Sequence, residues 1–232
     1  MSDAHHLRLD AAEARLLGCL VEKEATTPEQ YPLTENAALQ AANQKTSREP
    51  VMALEPGEVA RALRGLEAKG LARRVDGARA LRFEHTAARA LELTRSQLAA
   101  LALLLLRGPQ TAGELQARSE RLHRYADADE LAHALERLAA RGFAVALPRA
   151  PGQREGRWAH LLCGAVDLSA MALDAATRPD AEPTRGTASR DDDALVARIK
   201  ALEERVATLE AHFGAVDGRD ERRNGDDGGD GE

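Results

Sequence analysis

Arginines crowd two predicted β-hairpins of this chain, and their type and spacing make them the first candidates for chemistry. The first hairpin carries Arg73, Arg74, Arg79 and Arg82, and the second carries Arg149, Arg154 and Arg157. Each guanidinium presents a planar fork of donors that suits phosphate oxygens. Arg61 and Arg64 add positive charge to the exposed face of the helix before the first hairpin. The pattern indicates phosphate contacts, and a solvated surface without a ligand is the alternative.

A polar loop, Asn43–Arg48, is the second candidate. It is dense in hydrogen-bond donors, and such a run is able to hold a phosphate or the backbone of a partner. Its Asn, Thr and Ser side chains are also typical of helix caps and turns. We therefore expect most of the loop to be structural and keep Lys45 and Arg48 as contact residues.

Signals for catalysis are absent from the sequence. There is no glycine-rich phosphate loop, no HExxH pattern, no nucleophile elbow and no cluster of cysteine and histidine. Cys19 and Cys163 lie far apart within apolar runs, so neither a disulfide framework nor metal-ligand spacing is present. We expect a protein that is not an enzyme, with no catalytic, metal-binding or cofactor-binding residues and no cofactor.

Two copies of one pattern position these residues. Segments 54–75 and 126–147 align at a constant offset of 72 residues. Each copy has apolar residues at i, i+4 and i+7, which is typical of a helix with one buried face. Each helix then reaches a glycine suited to a left-handed cap, Gly70 or Gly142, and continues into a strand-like segment. The pattern predicts a helix that leads into a β-hairpin, twice.

Two more helices are predicted before each copy. Capping signals mark helix starts at Asp10, Thr34, Thr94 and Thr111. Three helices followed by a two-stranded wing are typical of a winged helix. We predict a mostly α (α+β) fold with two tandem winged helix-turn-helix domains, residues 1–90 and 91–173, plus a C-terminal heptad helix.

The composition changes after residue 173. Residues 174–190 lack periodicity and predict a flexible linker. Residues 191–213 then show an a/d heptad pattern, which predicts a coiled-coil-like helix. The seam residues are Leu195, Ile199, Leu202, Val206 and Leu209. Self-association, a partner protein and docking onto the chain's own domains all remain open for this seam, and residues 214–232 predict a disordered acidic tail.

Charge is divided unevenly along the chain. The net charge is −6 overall, whereas residues 174–232 carry 16 acidic and 9 basic side chains. The body is therefore nearly neutral, so binding to nucleic acid requires a local basic patch. The most apolar run, Leu98–Leu106, is shorter than the roughly 20 residues that a membrane helix needs. With no signal-peptide pattern at the N-terminus, we expect a cytoplasmic protein without a membrane partner.

Several long segments resemble the bacterial YceH family. The matching segments are 16–28, 30–33, 43–52, 106–111 and 120–123, with Pro148-Arg149 and the stretch up to His160. The resemblance covers roughly residues 8–165. The sequence departs from the family pattern at Ala42, where a cysteine is expected, and in its long acidic tail. The resemblance implies tandem winged helices and supplies no catalytic residues, because the function of the family is uncharacterised.

Two functional hypotheses follow from these patterns. In the first, the chain is a dimeric transcriptional regulator that binds double-stranded DNA, with its wings on phosphates and a helix reading bases. In the second, it is a non-enzymatic scaffold whose winged helices and heptad helix bind other proteins. The arginine-rich hairpins favour the first, and the neutral body with its acidic tail favours the second.

Overall fold

The computed structural model describes residues 7–76, 80–149 and 155–165. Several predicted features lie outside these residues. They are Arg79 and Arg154, the linker 174–190, the helix 191–213 with Leu195, Ile199, Leu202, Val206 and Leu209, and the tail 214–232.

The first repeat runs from α1 to β3. Its elements are α1 (Ala11–Thr26), a 3-10 turn (Pro28–Gln30), β1 (Leu33–Thr34), α2 (Glu35–Ala42), α3 (Pro56–Ala68), β2 (Ala72–Asp76) and β3 (Leu81–His85). The predicted capping box at the start of α1 is confirmed. The Glu13 N–H donates to the Asp10 side chain, and the Asp10 N–H donates to the Glu13 carboxylate. This reciprocal pair satisfies two backbone donors that helix geometry leaves free.

The second repeat has the same order. A short helix, α4 (Ala87–Ala90), leads to α5 (Arg95–Arg107), α6 (Ala112–Ser119), α7 (Ala128–Ala140), β4 (Ala144–Leu147) and β5 (Arg157–His160). The predicted caps at Thr94 and Thr111 are both confirmed as capping boxes. The glycines predicted to end α3 and α7 adopt φ values of 70° at Gly70 and 74° at Gly142. The matching left-handed turns bring each helix into its hairpin in the same way.

Small antiparallel sheets complete the mixed α/β fold. In the first repeat the strand order is β1-β3-β2, with Leu33 opposite Phe83 and Arg74 opposite Phe83 on the other side. In the second, β4 pairs with β5, and an isolated bridge joins Gln110 to Trp158. The bridge occupies the position before α6 that β1 occupies before α2. The strand β1 and the helix α4 were not predicted, because each is too short to show periodicity.

The two repeats share one continuous apolar core. The helices α1 and α5 pack against each other, and both are buried along most of their length. A Cβ atom on Gly18 would lie 2.8 Å from Leu106 Cγ, so glycine allows the close approach of the two helices. The Leu9 N–H also donates to the Leu162 carbonyl over 2.7 Å, which joins the beginning of the described chain to its end. No helix in the described residues is long and apolar enough to cross a membrane.

Candidate nucleic-acid interface

Four exposed arginines lie on α3 and the first hairpin, and we use the name α3–hairpin surface for this set: Arg61, Arg64, Arg73 and Arg74. The side chains of Arg61, Arg73 and Arg74 are 59%, 66% and 53% exposed. Arg74 Nε donates to Glu67 Oε1 over 2.7 Å, and this contact ties β2 to the last turns of α3. Arg74 therefore lies beside the exposed side of α3, whereas Arg73 pairs with Glu84 on the other face of the hairpin.

Carboxylates accompany most of these arginines. Arg61 Nη1 lies 2.9 Å from Asp10 Oδ2, and Arg73 pairs across the hairpin with Glu84. The hydrogen bond to Asp10 raises the pKa of Arg61, and the hydrogen bond to Glu67 raises the pKa of Arg74. Exposed ion pairs contribute only about 0–1 kcal/mol, so a phosphate is able to replace the carboxylate as partner. Arg64 is exposed and has no ion-pair partner among the described residues.

Arg82 and Arg157 have a structural role that the sequence did not reveal. Arg82 Nη1 donates to the Pro32 carbonyl over 2.6 Å, and Arg157 Nη1 donates to the Pro109 carbonyl over 2.9 Å. Both side chains are half-buried, and each ties its hairpin to the segment before the second helix of its repeat. One sequence pattern could have indicated this shared role. In both hairpins, an arginine is followed by an aromatic residue and then by a histidine at the end of the strand. Arg149 is exposed just after β4.

Arg48 lies inside the protein, so we leave it out of the interface. Its side chain is fully buried and binds Glu22 through both terminal nitrogens, at 3.0 Å and 2.5 Å. Its Nε donates to the Ala41 carbonyl over 2.9 Å. A buried guanidinium retains its charge only with such partners. The expectation that Arg48 contacts a ligand directly is therefore corrected: it stabilises the loop that contains it.

A second buried arginine, Arg15, holds the other side of this loop. Its terminal nitrogens donate to the Ala42 carbonyl over 3.2 Å and to the Pro50 carbonyl over 2.6 Å. The Asn43 side chain exchanges two hydrogen bonds with the Leu54 backbone, as the prediction of a structural role requires. The loop is thus fixed at both ends, while Lys45 at its centre is exposed and lines a cleft. Nothing in the sequence distinguishes Arg15 from a surface arginine.

Two histidines occupy equivalent positions at the ends of β3 and β5. His85 Nε2 lies 2.8 Å from Glu24 Oε2. Among the described residues, Nδ1 of both His85 and His160 is buried without a hydrogen-bond partner. Burial lowers the pKa of His160 to about 4. Because the unfolded chain binds this proton near pH 6.5 and the folded chain does so only near pH 4, stability is present above pH 6.5 and is lost as the pH falls towards 4.

We expect His160→Gln to reduce this acid sensitivity. Urea unfolding of the unmodified protein should show a free energy of unfolding lower at pH 5 than at pH 7.5, with up to about 2 kcal/mol of the loss due to His160. The variant should lose that contribution. His133→Gln, at an exposed position on α7, is the control and should keep the full pH dependence. Equal pH dependence in all three proteins would contradict the assignment.

Comparisons with known proteins show one family. The model of the family described as "Protein of unknown function, DUF480" matches residues 9–153. A UPF0502 protein of Stenotrophomonas maltophilia is 58% identical over 210 residues, which cover 90% of this chain and 94% of the relative. UPF0502 proteins of Xanthomonas campestris (57%; 91% and 93% covered) and Pseudomonas savastanoi (51%; 90% and 94% covered) are also similar. The names of these relatives give no activity.

Proposed function

Because the chain belongs to the DUF480 family, which is the YceH (UPF0502) family and has no known function, we propose a function from its geometry: a tandem winged-helix protein that binds double-stranded DNA through the α3–hairpin surface. The proposal involves no catalysis. It keeps the hypothesis from the sequence analysis that the protein is a DNA-binding regulator. It reduces the proposed DNA-contacting residues to those of the α3–hairpin surface.

The element order supports the winged-helix assignment. The first repeat runs helix, β1, helix, helix, β2, β3, and the strand order is β1-β3-β2. In DNA-binding proteins with this kind of arrangement, the third helix enters the major groove, and the hairpin beside it reaches the backbone. The second repeat has the same order of three helices and a hairpin, with a single bridge in place of β1.

The observation that carries the proposal is the contact between Arg74 and Glu67. It supports the proposal because it ties Arg74 to the exposed side of α3, where Arg61 and Arg64 lie. Arg73, which pairs with Glu84, projects from the other face of β2. With α3 in the major groove, Arg73 and Arg74 would approach the phosphates, and each would exchange a carboxylate for a phosphate oxygen. Fold alone would be insufficient, since winged helices also bind proteins.

We expect the triple variant Arg64→Ala/Arg73→Ala/Arg74→Ala to weaken binding of mixed-sequence duplex DNA. Each lost phosphate contact should also flatten the plot of log affinity against log salt by about 0.9, so up to about 3 for the triple variant. The measurement is fluorescence anisotropy with labelled duplex across a salt series. Arg89→Ala/Arg95→Ala/Arg124→Ala is the control, because it removes the same charge from exposed positions elsewhere.

The control also defines the result that would refute the proposal. Equal weakening by both triple variants would mean that only net charge matters, and unchanged binding would exclude the α3–hairpin surface. Circular dichroism and the unfolding midpoint establish that both variants remain folded. Full-length protein is used, so that the acidic C-terminal region is present in every comparison.

A protein-interaction scaffold is the second candidate function. The mixed charge of the α3–hairpin surface favours it, as do two exposed apolar side chains, Val51 (58% exposed) and Leu81 (40% exposed). Leu81 begins β3 in the first hairpin, so the same surface would then meet a protein partner. No binding of the full-length protein to duplex DNA at low salt would favour this candidate.

A further inference from the structure

A basic cleft lies where the two repeats meet, and it shares no residue with the α3–hairpin surface. It has a volume of about 410 Å³. The last turns of α1 and α5, the end of α6 and the loop after α2 form its walls. Its polar lining consists of Glu22, Lys23, Thr26, Thr27, Gln44, Lys45, Thr46, Ser47, Arg107, Arg118 and Arg121, and its apolar lining of Leu103, Leu106 and Leu122.

Positive charge dominates this lining. Lys23, Lys45, Arg107, Arg118 and Arg121 face a single carboxylate, that of Glu22. Both oxygens of that carboxylate are already bound by the buried Arg48. The cleft lining therefore contains an excess of cations, of which Lys23 lies 3.6 Å from Glu22 and Arg118 lies 3.5 Å from Glu114.

The arginines at the centre of the cleft repel one another. Burial lowers the pKa of Arg107, and the nearby Arg118 and Arg48 lower it further. Arg107 Nη2 donates to Ser47 Oγ over 2.6 Å, which leaves the Ser47 hydroxyl proton available to another acceptor. Arg118 is held by the Gln110 side chain over 2.8 Å and lies 3.5 Å from Glu114. An anion between these groups would relieve the repulsion of like charges.

The wall of the cleft is fixed before any ligand arrives. Arg15, Arg48 and Asn43 hold the loop from within, and the Glu49 N–H donates to the Leu106 carbonyl over 2.8 Å. The last contact joins the loop of the first repeat to α5 of the second. Since the backbone of this loop is already held in place, binding would cost little further ordering of the loop.

We propose that the basic cleft binds a small molecule that carries phosphate groups. Guanidinium and ammonium groups supply the charge that phosphates require, and the hydroxyl groups of Thr46 and Ser47 add neutral donors. The three leucines provide contact for a small apolar portion. The volume lies within the range of about 300–1,000 Å³ that is typical of small-molecule sites. This inference is independent of the proposed DNA binding.

Titration calorimetry of the full-length protein with inorganic pyrophosphate tests the proposal. Lys45 and Arg121 are exposed cleft residues without an ion pair among the described residues, so their replacement should leave the fold intact. We expect each single alanine variant to bind pyrophosphate about tenfold more weakly and the double variant about a hundredfold more weakly. Arg95→Ala/Arg124→Ala, which removes two exposed charges outside the cleft, should bind as the unmodified protein does.

Three results would overturn the proposal. The first is the absence of saturable pyrophosphate binding by the unmodified protein. The second is equal weakening by the cleft and control variants, which would show attraction to net charge alone. The third is a double variant that loses affinity for duplex DNA while pyrophosphate binding is unchanged, which would make the cleft part of a nucleic-acid surface.

Discussion

Replacing Arg48 with methionine is expected to lower the free energy of unfolding by about 3–5 kcal/mol. The substitution keeps an unbranched side chain of similar length but removes every hydrogen bond of the guanidinium. Glu22, only 14% exposed, would lose its buried partner and keep only the longer ion pair with Lys23 at 3.6 Å, and the Ala41 carbonyl would lose a donor. An unpaired charge inside a protein is among the largest single costs to stability. Urea unfolding at pH 7 measures the effect.

An exposed ion pair provides the matched control. Arg73→Met breaks the pair with Glu84 at a side chain that is 66% exposed, and we expect a loss below about 1 kcal/mol. In the double variant Arg48→Met/Glu22→Met, the loss should be smaller than the sum of the two single losses, since no buried charge is left unpaired. Additive single losses, or a loss for Arg48→Met as small as that for Arg73→Met, would contradict the buried-pair description.

Replacing Leu104 with alanine is expected to cost about 2–5 kcal/mol of stability. Leu104 is fully buried in α5, the helix on which α1 of the other repeat packs. Its truncation removes apolar contacts and leaves a cavity that the two helices are too closely packed to refill. Because the core is continuous through both repeats, the variant should still unfold in one transition, at a lower urea concentration.

Leu81→Ala is the control for that substitution. The same atoms are removed from a side chain that is 40% exposed, so the change should be within about 0.5–1 kcal/mol. Two separate unfolding transitions, only one of them shifted by Leu104→Ala, would show that the repeats have independent cores. A loss equal to that of Leu81→Ala would mean that the α1–α5 packing contributes little.

Local signals explain what could be predicted from the sequence. A helix start depends on residues three positions apart, so the boxes at Asp10, Thr94 and Thr111 were recognisable from spacing alone. The glycines after α3 and α7 were recognisable for the same reason. The repeat itself appears as a constant offset. Each of these features is determined within a few residues of chain.

Contacts between distant residues explain what was missed. Arg48 and Arg73 look alike in the sequence, yet one is buried and the other is on the surface. Arg48 is buried because it binds Glu22, 26 residues away in the sequence, and carbonyl groups that come together only in the folded loop. When a charged residue is buried beside a partner that is distant in the sequence, the local pattern of apolar and polar residues does not reveal it.

The basic cleft could not be predicted from the sequence for the same reason. Its loop was recognised as dense in donors, and Lys45 was singled out. Arg107, Arg118 and Arg121 come from the second repeat, and nothing in their spacing places them opposite Lys45. Only the packing of α1 on α5 brings the two groups of cations together.

The shared core has a consequence for synthesis on the ribosome. The chain emerges from its N-terminus, so α1 appears before its packing partner α5 has been made. At about 5–20 residues per second, several seconds separate the end of α1 from the end of α5. The hydrogen bond between Leu9 and Leu162 forms later still, when the second hairpin has left the exit tunnel. During that interval the part of α1 that packs on α5 is uncovered, so we expect a nascent chain of this protein to bind chaperones until translation has passed the second repeat.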